Sequence, residues 1–219
     1  MNSKTTPKYL AASLAAPFLL ASSSQAVLVI AGIADGDLTG GNPKAIILEA
    51  VAPVADLSLW GVGSANNGGA SSGIEFPLPP GLAEAGDVIV IAGNTASYDF
   101  FANNFVQNFT LYMDGAANNN GDDAVELFNN GSVFDNYGVV GVNGDGETWD
   151  YTDGYAIRIG PGVGAFDQAN YNTQTFAFDT LNEQDHVAVF VASGFTAIPE
   201  PSSAMLLGLA GVGLLRRRK

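Results

Sequence analysis

Short runs of β-branched and aromatic residues, each closed by Gly, Asn, Asp or Pro, fill the chain from Val27 to Val191. Such punctuation favours strands joined by turns. Ten runs read as strands: Val27–Ala34, Ala45–Ala50, Leu57–Val62, Gly73–Leu78, Asp87–Ala92, Ala124–Phe128, Ser132–Tyr137, Tyr155–Ile159, Thr175–Phe178 and His186–Val191. Short strands at this spacing predict an all-β sandwich or barrel. Val88-Ile-Val-Ile91 is continuously apolar, as in a strand buried on both faces. Asn129-Asn130-Gly131 predicts a tight hairpin, because Asn and Gly accept positive φ. Only Tyr98–Val106 carries a helical spacing, with Phe101 and Phe105 at i and i+4. Trp60, Phe76, Phe101, Phe105, Phe128, Phe134, Trp149, Tyr155 and Phe178 are the candidate aromatic core, each able to bury ~150–250 Å².

Charge divides the chain. Of eight Lys and Arg, two lie near the start, four end the chain, and only Lys44 and Arg158 fall between Val27 and Ala197. The same stretch holds 21 of the 22 acidic residues, for a net −19. Such a segment repels nucleic acid phosphates, so direct nucleic acid binding is not expected. It favours solubility and cations. With no cysteine, disulfides, thiolate metal sites and a thiol nucleophile are excluded.

The two ends read as addresses. Lys4 and Lys8, the apolar run Tyr9–Leu20 and small residues at Ser24 and Ala26 form the three-part pattern of a secretory signal, with signal peptidase cutting after Ala26. A buried helix or a membrane anchor is the competing reading, and the run is short for a span of roughly 20 residues. At the other end stand Pro199-Glu200-Pro201, Ser202-Ser203, the apolar run Ala204–Leu215, and Arg216 to Lys219. The basic cluster should stay cytoplasmic and leave the body outside. This tail resembles the PEP-CTERM sorting signal of Gram-negative bacteria. The resemblance implies recognition by exosortase, an integral-membrane cysteine protease that cleaves near the motif, and an association with exopolysaccharide and biofilm. The competing reading is an ordinary C-terminal anchor.

A second resemblance covers most of the segment between. Val29 to Gly41, Pro43-Lys44-Ala45-Ile46, Ala55 to Gly61, Gly63 to Gly69, Ala85-Gly86-Asp87-Val88, Asn120 to Leu127 and Gly144 to Tyr151 occur in order. Together they resemble a bacterial lamin tail domain. That likeness implies an immunoglobulin-like β-sandwich, found in secreted proteins alone or beside extracellular hydrolases. Ile47 stands where the family usually has an acidic residue, Glu49 follows two positions later, and no companion enzyme domain is seen. The expected organisation is a signal peptide over 1–26, a lamin-tail-like sandwich over 27–197, and the sorting signal with its apolar helix over 198–219.

No catalytic machinery stands out. The only histidine, His186, begins an alternating run, which pattern alone explains. No P-loop or His-Glu-x-x-His occurs. With this many carboxylates, chance pairs carry no signal for glycoside hydrolysis. Calcium is the one candidate cofactor. Asp35 and Asp37, Asp122 and Asp123, and Asp145 and Glu147 sit in Gly- and Asn-rich loops that have its ligand chemistry but not the EF-hand spacing. Asx turns, which need no ligand, account for the same loops. Trp149 and Tyr151, beside the Gly144–Asp153 loop, are candidates for a sugar-stacking platform or for the core. The expectation is a non-enzymatic protein of the cell surface or extracellular matrix, held transiently in the inner membrane. Exopolysaccharide or matrix would be its partner, and an accessory module for a separate extracellular hydrolase is the alternative.

Overall fold

The computed structural model describes residues 27–195, 197 and 198. Signal cleavage at Ala26 and the Pro199, Glu200 and Pro201 motif lie outside the described residues. Within them the chain forms β1 (Val27–Leu38), β2 (Asn42–Ala52), β3 (Trp60–Ala65), β4 (Phe76–Pro77), β5 (Val88–Ala92), α1 (Thr95–Asn104), β6 (Thr110–Met113), β7 (Ala124–Asn129), β8 (Ser132–Tyr137), β9 (Tyr155–Arg158), β10 (Tyr171–Gln174) and α2 (Glu183–Ala192). A six-stranded sheet in the order β10-β9-β1-β2-β5-β6 faces a four-stranded sheet in the order β4-β3-β7-β8. The expected β-sandwich is therefore present as two facing sheets.

The larger sheet is covered on both faces. Leu28, Ile30, Ile46, Leu48, Ile89 and Ile91 point to the smaller sheet, meeting Trp60, Val62, Val125, Leu127 and Tyr137. Ala34, Ala45, Ile47 and Val90 point the other way, against Phe100, Phe101 and Phe105 of the α1 region, Phe178, and Phe190 of α2. Period-2 alternation sends neighbours to opposite faces, and because both faces are buried the run of β5 is apolar throughout. β5 and β6 pair in parallel with α1 between them, as a parallel pair requires a crossover. All other strand pairs among the described residues are antiparallel.

The predicted hairpin forms. Asn129 pairs with Ser132, and Asn130 and Gly131 take φ of 50° and 77°. The predicted helical turn around Phe101 is α1, started by the Asn94 side chain accepting from the Ser97 N–H at 3.0 Å. Six of the nine candidate core aromatics are buried; Phe76, Phe134 and Tyr155 are partly so.

Two strands predicted from sequence are not strands. His186–Val191 lies in α2, where the Asn182 side chain caps the Asp185 N–H at 3.1 Å and Glu183 and Asp185 occupy the first turn. Val187, Val189 and Val191 mimic alternation, but the residues that are buried, His186 and Phe190, are one helical turn apart. Thr175–Phe178 is a turn, and the strand is the four residues before it, Tyr171–Gln174, with Tyr171 opposite Arg158. β6 carried no run that sequence reading recognised.

Candidate functional site: acidic loops and the C-terminal end

Of the two cations of the body, Lys44 is buried and Arg158 partly buried, each in an ion pair. Lys44, on β2, is 7% exposed and pairs with Asp35 of β1; its Nζ also donates to the Asn119 carbonyl at 2.6 Å and to Asn120 Oδ1 at 3.3 Å. Arg158, on β9, pairs with Asp135 of β8 and donates through Nε to the Ile30 carbonyl at 2.7 Å. The sole histidine is fully buried. Of the 21 acidic residues only Asp35, Asp123, Glu126, Asp135 and Asp150 are buried, so the other sixteen meet solvent at least in part. Among the described residues, the one basic side chain that meets solvent in part is Arg158, which is paired with Asp135.

The six sequence-predicted calcium ligands stand in three segments, with Asp123 and Asp145 near enough to Asp122 for their charges to raise its pKa. Asp35 is committed to Lys44 and accepts the Asp153 N–H at 3.3 Å. Asp123 is buried and closes turns, accepting from Asn67 N–H at 2.7 Å and Asn120 N–H at 3.0 Å. Asp122 accepts from Asn143 Nδ2 at 3.0 Å, while Asp145 and Glu147 are exposed in the following loop. Only Asp37 enters a carboxylate cluster, and its companions are Asp153 and Asp179, with ligand atoms all within 4.8 Å of one another. Asp153 lies in the loop before β9 and Asp179 in the turn after β10, so strand order rather than sequence proximity gathers the three. A hard cation prefers such oxygens, but exposed Asp side chains collect at turns without one.

These carboxyls make stability depend on pH in an unusual direction. Burial lifts Asp153 above the ordinary range, and Asp37 and Asp179 beside it add to the lift. Burial likewise lifts Asp122, helped by Asp123, and lifts Asp35 against the opposing pull of Lys44. A carboxyl with a raised folded-state pKa binds more protons folded than unfolded, so its contribution falls as pH rises through that window. Net repulsion among the exposed carboxylates has the same sign. The melting temperature at low ionic strength is expected to rise as pH falls from 7 toward about 4.5, just above the unfolded Asp value. A scanning calorimetry series showing steady loss over that interval would contradict this.

Trp149 and Tyr151 belong to the core, at 2% and 0% exposed, and offer no ring face to a sugar. The indole fits because Gly138 and Gly144 leave room; a Cβ there would sit 2.8 Å and 2.6 Å from it. Tyr137 donates to the Trp149 carbonyl at 2.6 Å, and Tyr151 donates to the Asp123 carbonyl at 3.3 Å. Burial raises both phenols well above their ordinary pKa. Polar handles that reach backbone carbonyls allow Tyr inside a core.

His186 stacks on Phe178, with ring centroids 4.4 Å apart and planes 6° from parallel. Its Nδ1 lies 2.9 Å from the Asn182 carbonyl and must donate; Nε2 then accepts the Asp37 N–H at 3.3 Å. Nδ1 is thus engaged within the first turn of α2, and Nε2 ties that helix to the end of β1. A groove of about 310 Å³ lies on the helix side of the large sheet, with Gly32, Ile47 and Val88 below, Phe109 and Phe195 at its wall, and Glu49 as its one carboxylate. Sequence reading noticed Glu49 only as a departure from a family pattern.

Past α2 the chain folds back onto the body. Phe195 packs on Phe105 and Phe109, with centroids 5.3 Å away in each case. Ala197 bridges Phe105, and Ile198 N–H donates to the Asn104 carbonyl at 2.8 Å. No helix among the described residues is long and apolar enough to cross a membrane. No curated protein matches the chain. Residues 197–219 match the PEP-CTERM protein-sorting motif. That motif marks a protein exported by a Gram-negative bacterium, anchored transiently in the membrane and addressed to exosortase before surface display.

Proposed function

We propose that this protein is a non-catalytic component of the cell surface or extracellular matrix, built on a lamin-tail-like, immunoglobulin-like sandwich and released from the inner membrane by exosortase. The observation that carries the reading is a sorting motif joined to a strongly acidic body in which Lys44 and His186 are buried and Arg158, partly buried, is paired with Asp135. Such a body resists self-association through repulsion, and divalent cations would draw copies or acidic polysaccharide together. The accessory-module alternative loses its two aromatic residues to the core.

Deletion of exosortase in the native host is the test. The uncut form, retaining Arg216 to Lys219, is expected to accumulate in the inner membrane while the extracellular form disappears. Normal processing without exosortase would end the proposal. Surface material that leaves cohesion of the extracellular matrix unchanged when the protein is absent would end its matrix part.

A further inference from the structure

The helix-side face of the large sheet is not covered along its whole length. Phe100, Phe101, Phe105, Phe178 and Phe190 pack with Ala34, Ala45 and Val90, but α2 ends at Ala192 and the chain turns at Gly194, whose φ is 107°. Past that end the groove of about 310 Å³ opens over Ile47, Val88 and Gly32. Gly32 keeps its floor flat, since a Cβ there would meet the Ala156 carbonyl at 3.3 Å and Ile47 Cδ1 at 3.5 Å. Phe109 and Phe195 form the wall as an edge-to-face pair, with centroids 5.3 Å apart and planes at 70°. The volume falls at the small end of ligand sites, which run roughly 300–1,000 Å³.

Two negative features meet in this apolar groove. Glu49, half-buried on β2, is its one carboxylate. Among the described residues both ion pairs are made by other acids, Asp35 and Asp135, so no basic side chain of the body neutralises Glu49. Ser193 and Gly194, which also line the groove, follow the last turn of α2, and that turn carries no basic side chain either. A helix C-terminus bears a partial negative charge that a cation normally offsets. Aromatic walls attract cations as well, through the ring quadrupole. A metal ion fits poorly, because calcium takes roughly six to eight oxygens and an apolar lining supplies few. An organic cation satisfies both the charge and the lining. We propose that the groove binds a small organic ammonium, its charge beside Glu49 and the α2 C-terminus, its apolar body against Ile47, Val88 and the two phenylalanines. Such binding belongs to the folded body and does not depend on how the chain is processed.

The test is titration of the protein, purified from isotope-labelled cells of its native host, with phenethylammonium, phenethyl alcohol and phenylacetate. These probes share one skeleton and differ in charge, and amide chemical shifts in nuclear magnetic resonance spectra follow their binding. The ammonium is expected to bind saturably and to shift the Gly32 and Gly194 amides. The alcohol should bind there roughly tenfold more weakly, the worth of one hydrogen bond to a charged group, and phenylacetate not at all. Glu49→Gln should cost the ammonium roughly the same factor and leave the affinity of the alcohol unchanged. Its melting temperature should stay that of the parent, because Glu49 makes no ion pair in the body. The comparison of probes on the parent needs no variant, so it decides even if Glu49→Gln fails to fold. Equal affinity for ammonium and alcohol, an ammonium affinity untouched by Glu49→Gln, or shifts confined to the acidic loops around Asp37 and Asp145 would overturn the proposal. A groove that refuses all three probes would overturn it as well, and is the result expected if a second copy or another segment of the chain fills it.

Discussion

Lys44→Ala is expected to destabilise the domain by about 3–5 kcal/mol at pH 7, the range found when one partner of a buried ion pair is removed. The ammonium joins Asp35 on β1 to the Asn119 carbonyl and Asn120 side chain, so its loss leaves Asp35 buried without its cation and frees the loop before β7. Burial already holds the Asp35 carboxyl above its ordinary range despite Lys44. Without Lys44 that carboxyl rises further, the variant takes up a proton more readily on folding, and its deficit should shrink as pH falls toward about 4.5. Removing both charges, as Lys44→Met with Asp35→Leu, should recover much of the loss, because apolar replacement of a buried pair is often neutral. Urea denaturation of the single and double variants at pH 7 and 4.5 measures this. A single variant within 1 kcal/mol of the parent at pH 7 would show that the pair is not buried as described.

Arg158→Ala carries a similar expected loss, about 3–5 kcal/mol, for a different structural reason. Arg158 stands on β9 of the large sheet and Asp135 on β8 of the small one, so this pair ties the sheets together. Asp135 also accepts the Ile30 N–H at 2.9 Å and the Gly164 N–H at 3.2 Å, while Arg158 donates to the Ile30 and Gly162 carbonyls and to the Tyr171 hydroxyl. Its guanidinium carbon is 4.6 Å from the Tyr171 ring centroid. Arg158→Lys keeps the charge but replaces a planar fork of five donors with a point charge, and should recover less than half of the loss. Denaturation midpoints for both variants provide the check. A lysine variant as stable as the parent would mean that charge alone suffices there.

Most of the strands were legible because their signals are local. The Asn130-Gly131 turn needs only residues that tolerate positive φ, and the run of β5 needs only to be apolar at every position. α1 was visible because Phe101 and Phe105 repeat at helical spacing before any partner is known. α2 was misread because three valines alternate on a helix whose cap, Asn182, lies outside the alternating run. The aromatic cluster of Phe100, Phe101, Phe105, Phe178 and Phe190 draws on segments some ninety positions apart, and no local pattern announces it.

The same division holds for chemistry. Export, the tail address, the acidity of the body and its lack of cysteine follow from residue types and their order along the chain, because those properties do not depend on which strands become neighbours. Where each charge and ring ends up does depend on it. Strand pairing drew Lys44 and Arg158 into ion pairs, closed Trp149 and Tyr151 into the core and set Asp37 beside Asp153 and Asp179. Contacts made across more than a hundred residues are chosen by the packing of two sheets and two helices as a whole, and a window read along one segment contains none of that information.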